Sequence, residues 1–150
     1  MIVYRLTTGR YAHDISGTGA KLNGGRWNPV GFAVLYTSEF ISLAILEILV
    51  RASRITSPDS YTLTSFEIPE NNISNVDFKK LRTDWRSNLC YSQEIGEDFL
   101  KGKDSLCLKV PSAIVPQENN FLFNPLHPDF NKVKIIASEL LELDKRLMIK

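Results

Sequence analysis

A single carboxylate, Glu47, stands in a segment that is otherwise almost wholly apolar, residues 41–50 (ISLAILEILV). Placing an ionised carboxylate in a protein interior is costly unless charges or hydrogen-bond donors compensate it. One interpretation is an ion pair with Arg51, four residues further along the same helix. The other is that Glu47 faces a polar cleft cut into the core, which is typical of a functional site. The residue types alone leave both interpretations open.

A second candidate, Arg26, follows the glycine pair Gly24-Gly25 and precedes Trp27. Glycine frees the backbone for conformations that other residues resist. A guanidinium binds phosphate or carboxylate through two parallel hydrogen bonds, so the segment predicts an anion clamp. The simpler interpretation is a solvated loop arginine beside a tryptophan that packs in the core. The segment lacks the GxxxxGK[ST] pattern of a phosphate-binding loop.

Four further side chains carry reactive groups. Tyr36 lies in an apolar run eleven residues before Glu47, where most tyrosines pack with a bonded hydroxyl. Ser112 has no GxSxG elbow around it, so a serine nucleophile is only weakly indicated. His13 and His127 have no further ligands at metal-binding spacing, which favours a structural role for each and predicts no metal site.

The overall charge of the chain is close to neutral. Lys and Arg number 18 against 17 Asp and Glu, which leaves a net charge of +1. Such a chain has no global field that steers it to nucleic acid or an anionic membrane, so any polyanion must be bound locally. Two cysteines without CxxC spacing and the absence of a signal peptide or a membrane-length apolar run predict a cytoplasmic protein.

The elements that must position these residues follow from hydrophobic patterning. The length fits one domain, residues 1–150. Residues 7–31 carry six of the eight glycines and predict a long loop of the kind that usually has a function. A helix capped by Thr37 or Ser38 is expected to run to about Ala52 and to be buried on most sides.

A second helix is predicted from a cap at Ser92 to about Gly102, with a short helical turn at 77–81. Short apolar runs bounded by polar residues predict the strands. The expected strands span 2–6, 33–37, 61–68, 105–110, 120–124 and 132–137, with 139–149 as a last pair. The sequence therefore predicts an α+β fold of small antiparallel sheets with a buried helix that carries Glu47.

Three motifs in this order, GGRWNPVGFAVLYTS, SLAILE and VPSAIVPQENNFLFNPLHPDF, resemble the RES-domain toxins of bacterial RES/Xre toxin–antitoxin modules. The family is named after an Arg, a Glu and a Ser, which match Arg26, Glu47 and Ser112. The opening VYRL resembles the start of the family, with Arg5 as its arginine. The resemblance extends over essentially the whole chain.

The resemblance implies a fold similar to ADP-ribosyltransferase toxins, with NAD+ bound as substrate in a cleft between small sheets. It implies depletion of NAD+ by cleavage of the bond between nicotinamide and ribose, by phosphorolysis or hydrolysis, with ADP-ribosylation of a protein as the alternative. It also implies a cognate Xre-like antitoxin with a helix-turn-helix domain that covers the site.

The same resemblance suggests a role for each candidate residue. Glu47 would stabilise the oxocarbenium character that develops on the ribose. Arg26, with Arg5 as second candidate, would bind the pyrophosphate. Tyr36 would stack on the cationic nicotinamide ring, an attraction of about 0.5–2 kcal/mol. Ser112 would hydrogen-bond the substrate or Glu47 and orient it.

Three further points concern Asn124, the acceptor and the rival function. Asn124 is expected to support the side chains that bind NAD+. Protein-modifying transferases often place an acidic residue two positions before the catalytic glutamate, and here that residue is Ile45. We therefore expect a small acceptor, phosphate or water. The rival is an RNA-cleaving toxin that uses His127 or His13, against which the neutral charge argues.

Overall fold

The computed structural model of the protein describes residues 1–51 and 60–148. It contains three helices, α1 (Thr18–Asn23), α2 (Ile41–Arg51) and α3 (Leu89–Gly102). Seven strands accompany them: β1 (Ile2–Thr8), β2 (Leu35–Ser38), β3 (Tyr61–Glu67), β4 (Ile73–Asn75), β5 (Cys107–Pro111), β6 (Asn119–Phe123) and β7 (Lys134–Leu141). The predicted α+β class is confirmed.

The strands form one sheet in the order β4-β5-β6-β2-β1-β3-β7. Neighbouring strands are antiparallel except for β4 and β5, which are parallel. The halves β4-β5-β6-β2 and β1-β3-β7 meet at a single register pair, Tyr4 opposite Ser38. The small antiparallel sheets expected from the sequence are thus two halves of one sheet, joined through this pair.

Three buried clusters form the core. The first spans both halves of the sheet and is built around Phe66, Phe121 and Phe123. The second packs α3 on β5 and β6 and includes Trp27 and Trp85, whose ring centroids are 5.7 Å apart. The third packs α2 on β1 and β3. Trp27 packs the glycine-rich segment, residues 7–31, into the second cluster. That segment is therefore anchored although it has little regular structure.

Helix α2 is half-buried, which corrects the expectation that it is buried on most sides. Leu43, Ala44 and Leu49 are buried against β1 and β2. On the outer face Val50 is 64% exposed and Leu46 is 37% exposed. The helix lies on one face of the sheet, and an apolar composition alone does not reveal that its second face stays open.

Three other expectations differ in detail. Helix α3 starts earlier than predicted, because the Asn88 side chain accepts a hydrogen bond from the Tyr91 N–H at 3.1 Å, whereas Ser92 is buried within the helix. The predicted loop 7–31 contains α1. The expected pair at 139–149 is instead the end of β7, followed by the 3-10 turn Lys145–Met148.

The remaining expectations concern the predicted turn and the ends of elements. The helical turn predicted at 77–81 is the 3-10 turn Phe78–Lys80. The predicted helix end at Ala52 and the last residue of 139–149 lie outside the described residues. Within the described ranges, no helix combines the length and hydropathy needed to cross a membrane.

Candidate active site

A cavity of about 330 Å³ opens where the two halves of the sheet meet. β1 and β2 form its floor, α2 forms one wall, and the segment that contains α1 forms the other. Its lining includes two arginines, Arg5 and Arg51, one carboxylate on α2, Glu47, and the side chains of Tyr36 and Asn120. Opposite charges therefore share a concave site, which is the usual setting for binding a small ligand.

Glu47 is held by two hydrogen bonds to one of its oxygens. Oε1 accepts from the Asn120 Nδ2 at 2.6 Å and from the Ser112 Oγ at 3.1 Å. Among the described residues no ion pair joins Glu47 to Arg51, and Oε2 accepts no hydrogen bond. The structure therefore favours the polar cleft over the helical ion pair.

Asn120 is a site residue that the sequence did not indicate. Its Oδ1 accepts from the Ser38 Oγ at 2.8 Å, which directs its Nδ2 towards Glu47. The two residues meet because β2 and β6 are neighbours, with Ser38 opposite Asn120. The sequence offers one weak sign of this role, a polar residue at the start of the apolar run NFLF.

Ser112 follows the last residue of β5 and is fully buried. Its hydroxyl donates to Glu47 and accepts from the N–H groups of Ile114 at 3.1 Å and Val115 at 3.2 Å. With its proton and lone pairs occupied, the hydroxyl orients the carboxylate. This contact matches the second of the two roles that the sequence resemblance implied for Ser112.

Tyr36 uses its hydroxyl to hold the glycine-rich segment. The hydroxyl donates to the Asn28 Oδ1 at 2.7 Å and accepts from the Trp27 N–H at 3.2 Å. Burial raises the pKa of Tyr36 well above its usual value, since the phenolate would lose its hydration. The Arg51 guanidinium lies over the ring, 5.8 Å from its centroid.

The glycine-rich segment is fixed by the fully buried Asn28. The Asn28 Nδ2 lies 2.9 Å from the Ala20 carbonyl and 2.9 Å from the Phe32 carbonyl. Gly25 passes so close that an added Cβ would lie 2.8 Å from the Tyr36 hydroxyl and 2.8 Å from the Asn28 Oδ1. A glycine is needed here because no side chain fits in that space.

The other predicted residues have different surroundings. Arg5 lines the cavity, and its Nη1 donates to the Asp14 carbonyl at 2.5 Å. Burial lowers the pKa of the Arg5 guanidinium, and the nearby Asp14 carboxylate opposes the shift. Arg26 does not line the cavity, and its Nη1 donates to the Arg86 carbonyl at 2.8 Å. The structure thus brings Arg5, and not Arg26, to the cavity wall.

Asn124 and the histidines also lie away from this cavity. The Asn124 Nδ2 donates to the Leu100 carbonyl at 2.9 Å from a fully buried position. The His127 Nδ1 accepts from the Asp129 N–H at 3.0 Å, which matches the structural role expected for it. In the part of the chain that the structure describes, none of Asn124, His13 and His127 lines the cavity.

We predict that Tyr36→Phe lowers the free energy of unfolding by about 1–3 kcal/mol, because the Asn28 oxygen and the Trp27 N–H lose a buried partner. The parent protein should also lose stability as the pH rises above the ordinary tyrosine pKa of 10.0, since the unfolded chain releases this proton and the folded chain retains it. This loss should be smaller in the variant. Urea unfolding between pH 8 and 11 measures both effects.

The exposed Tyr11 supplies the control. Tyr11→Phe is expected to change neither the stability nor its dependence on pH. Equal unfolding curves for Tyr36→Phe and the parent at every pH would contradict the anchoring role of the hydroxyl.

Comparison with known proteins gives a consistent result. The RES domain family model matches residues 2–144. A protein named Toxin Res from Photorhabdus laumondii is 43% identical over 136 residues, which cover 88% of this chain and 86% of that protein. A protein named Prs ADP-ribosylating toxin from a Sphingobium species is 35% identical over 128 residues, 82% of this chain and 80% of the relative.

A solved structure shows the same fold. The match is to the MbcT-MbcA toxin-antitoxin complex of M. tuberculosis, with a TM-score of 0.79 and 18% sequence identity over 94% of this chain and 84% of that one. At this identity the likeness concerns the fold alone. The family model and the relatives decide the classification, and on their basis this chain is a member of the RES domain family.

Proposed function

We propose that this protein is the toxin of a toxin–antitoxin module and that it depletes NAD+ by cleaving the bond between nicotinamide and ribose. One observation carries the proposal above the others. Glu47 lines the cavity with Oε1 tied to Asn120 and Ser112, and Oε2 is left without a hydrogen bond within residues 1–51 and 60–148. This is the arrangement expected of a carboxylate that acts on a developing positive charge.

The chemistry requires little else from the protein. As the bond from ribose C1′ to nicotinamide breaks, its electron pair moves to the ring nitrogen and nicotinamide leaves as a neutral molecule. The ribose gains oxocarbenium character, which the Glu47 carboxylate stabilises, as in glycoside cleavage. An oxygen of phosphate then forms the new bond to C1′, or an oxygen of water does so and releases a proton to the solvent. The two donors to Oε1 keep the carboxylate oriented throughout the reaction.

The remaining candidates take supporting roles in this proposal. Arg5, on the cavity wall, supplies positive charge for the substrate. Arg26 stabilises the glycine-rich segment through the Arg86 carbonyl, and Asn124 stabilises the segment after β6. Tyr36 positions that same glycine-rich segment and presents its ring to the ligand.

The proposed partner is a cognate antitoxin of the Xre-like helix-turn-helix type. Relatives at 43% and 39% identity are named Toxin Res, and the chain with the same fold was solved in complex with an antitoxin. An antitoxin that covers the cavity would prevent NAD+ from entering it. Pull-down of the protein co-expressed with a candidate Xre-like antitoxin tests this assembly.

A second acceptor follows from one specific observation. The relative from Sphingobium is named as a toxin that ADP-ribosylates Prs, so transfer of ADP-ribose to a protein is the alternative. The apolar Ile45, two residues before Glu47, favours phosphate or water. RNA cleavage has less support, since neither histidine lines the cavity among the described residues.

Mass spectrometry of the products of NAD+ incubated with the purified protein, with and without phosphate, tests the proposal. We expect ADP-ribose-1″-phosphate if phosphate is the acceptor and ADP-ribose if water is. A mass increase on an added protein would show the transferase alternative. Intact NAD+ together with cleavage of added RNA would contradict NAD+ depletion.

A further inference from the structure

Arg51 has a position in the site that its place in the sequence does not explain. It lies in the last turn of α2, four residues after Glu47, and lines the same cavity. This spacing is the one at which a glutamate and an arginine on a helix commonly pair. The Arg51 guanidinium lies instead over the ring of Tyr36, 5.8 Å from its centroid.

The absence of the pair has a structural cause. The Glu47 Oε1 already accepts from Asn120 and Ser112, so the carboxylate is held without a cation. The Tyr36 ring offers the guanidinium a face to which cations are attracted, which holds Arg51 beside the cavity. Glu47 and Arg51 thus carry separate charges on one wall of the cavity. Their backbone positions are roughly 6 Å apart along the helix axis.

The three arginines near the site differ in what their guanidinium groups bind. Arg5 donates to the Asp14 carbonyl and faces its carboxylate. Arg26 donates to the Arg86 carbonyl. Arg51, in the part of the chain described here, takes part in no ion pair, and its planar fork of donors is open to a ligand.

We propose that Arg51 binds a phosphate oxyanion in the cavity, one helical turn from Glu47. The inference rests on the proposed function. A substrate that develops a positive charge near Glu47 and carries an anionic group about one helical turn away would fit the cavity wall formed by α2. Two sources share this chemistry: the pyrophosphate of NAD+ and free phosphate as the acceptor. A guanidinium binds either through two parallel hydrogen bonds.

Calorimetric titration of ADP-ribose in phosphate-free buffer tests the first source without any turnover. If Arg51 binds the pyrophosphate, Arg51→Gln should raise the Kd about tenfold or more. Arg51→Lys should give an intermediate value, because an ammonium keeps the charge but not the fork. Arg146→Gln, which removes the same charge from an exposed side chain paired with Asp144, is the matched control and should bind like the parent.

The dependence of NAD+ cleavage on phosphate concentration tests the second source. If Arg51 holds the acceptor, Arg51→Gln should need about tenfold more phosphate for half-maximal phosphorolysis and should bind ADP-ribose unchanged. Loss in either arm supports the oxyanion subsite and identifies the source.

Parental behaviour of Arg51→Gln in both arms would overturn the subsite, and so would a parent protein that neither binds ADP-ribose nor responds to phosphate. A parent that binds ADP-ribose through Arg51 and leaves NAD+ intact would disprove NAD+ depletion and uphold the subsite. The two failures are therefore distinguishable.

Discussion

Glu47→Gln is expected to lower the rate of NAD+ consumption by about a hundred- to a thousandfold, the effect of removing one electrostatic stabiliser of a transition state. The change removes the negative charge and keeps the shape of the side chain. The amide oxygen can accept the same hydrogen bonds from Asn120 and Ser112, so the fold and the cavity should persist. Measurement of kcat and KM for NAD+ is expected to show the loss mainly in kcat.

A matched control is available just before the same helix. Glu39 is also half-buried and also accepts from an asparagine, at 2.9 Å from the Asn119 Nδ2, but it does not line the cavity. Glu39→Gln should therefore leave kcat within about threefold of the parent, since the Glu39 side chain does not line the cavity. A Glu47→Gln protein that is folded and consumes NAD+ at the parental rate would show that this carboxylate has no catalytic role.

Gly96→Ala is expected to destabilise the protein by about 3 kcal/mol or more, at the upper end of overpacking effects. Gly96 is buried in α3, and an added Cβ would lie 1.6 Å from the Trp27 carbonyl oxygen. That oxygen belongs to the backbone, so no side-chain rotation relieves the overlap. The helix would have to move away from the segment that bonds the Tyr36 hydroxyl, and NAD+ consumption should fall as well.

Gly19→Ala provides the comparison for stability. Gly19 lies in α1, and an added Cβ there has nothing within 4 Å. Alanine in a helix is favoured over glycine by about 0.5–1 kcal/mol, so the midpoint of urea unfolding should stay or rise. If Gly96→Ala and Gly19→Ala unfolded at the same urea concentration, the packing of α3 on Trp27 would not contribute to stability as described.

Some parts of the site could be predicted because they depend on local chemistry. A carboxylate among apolar residues is a costly placement wherever the helix lies, so the sequence alone singles out Glu47. The glycine-rich segment was expected to have a function from its length and composition, and it forms one wall of the cavity. The family resemblance implied a hydrogen bond from Ser112 to the substrate or to Glu47, and the structure contains the bond to Glu47 at 3.1 Å.

Other parts depend on contacts between distant segments. Asn120 approaches Glu47 across 73 residues of chain, because β6 lies beside β2 in the sheet. The position of Arg26 likewise depends on a carbonyl 60 residues away. No spacing in the sequence encodes these separations, since strand order is set by the packing of the whole sheet.

The sequence by itself therefore determined that the protein has an α+β fold and the motifs of the RES family, with an unusual carboxylate on an apolar helix. These follow from residue chemistry, periodicity and motif order, which are properties of the linear chain. Only the tertiary structure decided which side chains surround that carboxylate. In it the Asn120 side chain donates to Glu47, and the Arg26 side chain donates to the Arg86 carbonyl. The Arg51 guanidinium lies over the Tyr36 ring, with its donors free among the described residues. The reason is that a carboxylate binds the nearest suitable donor in space, and proximity in space is a property of the folded sheet.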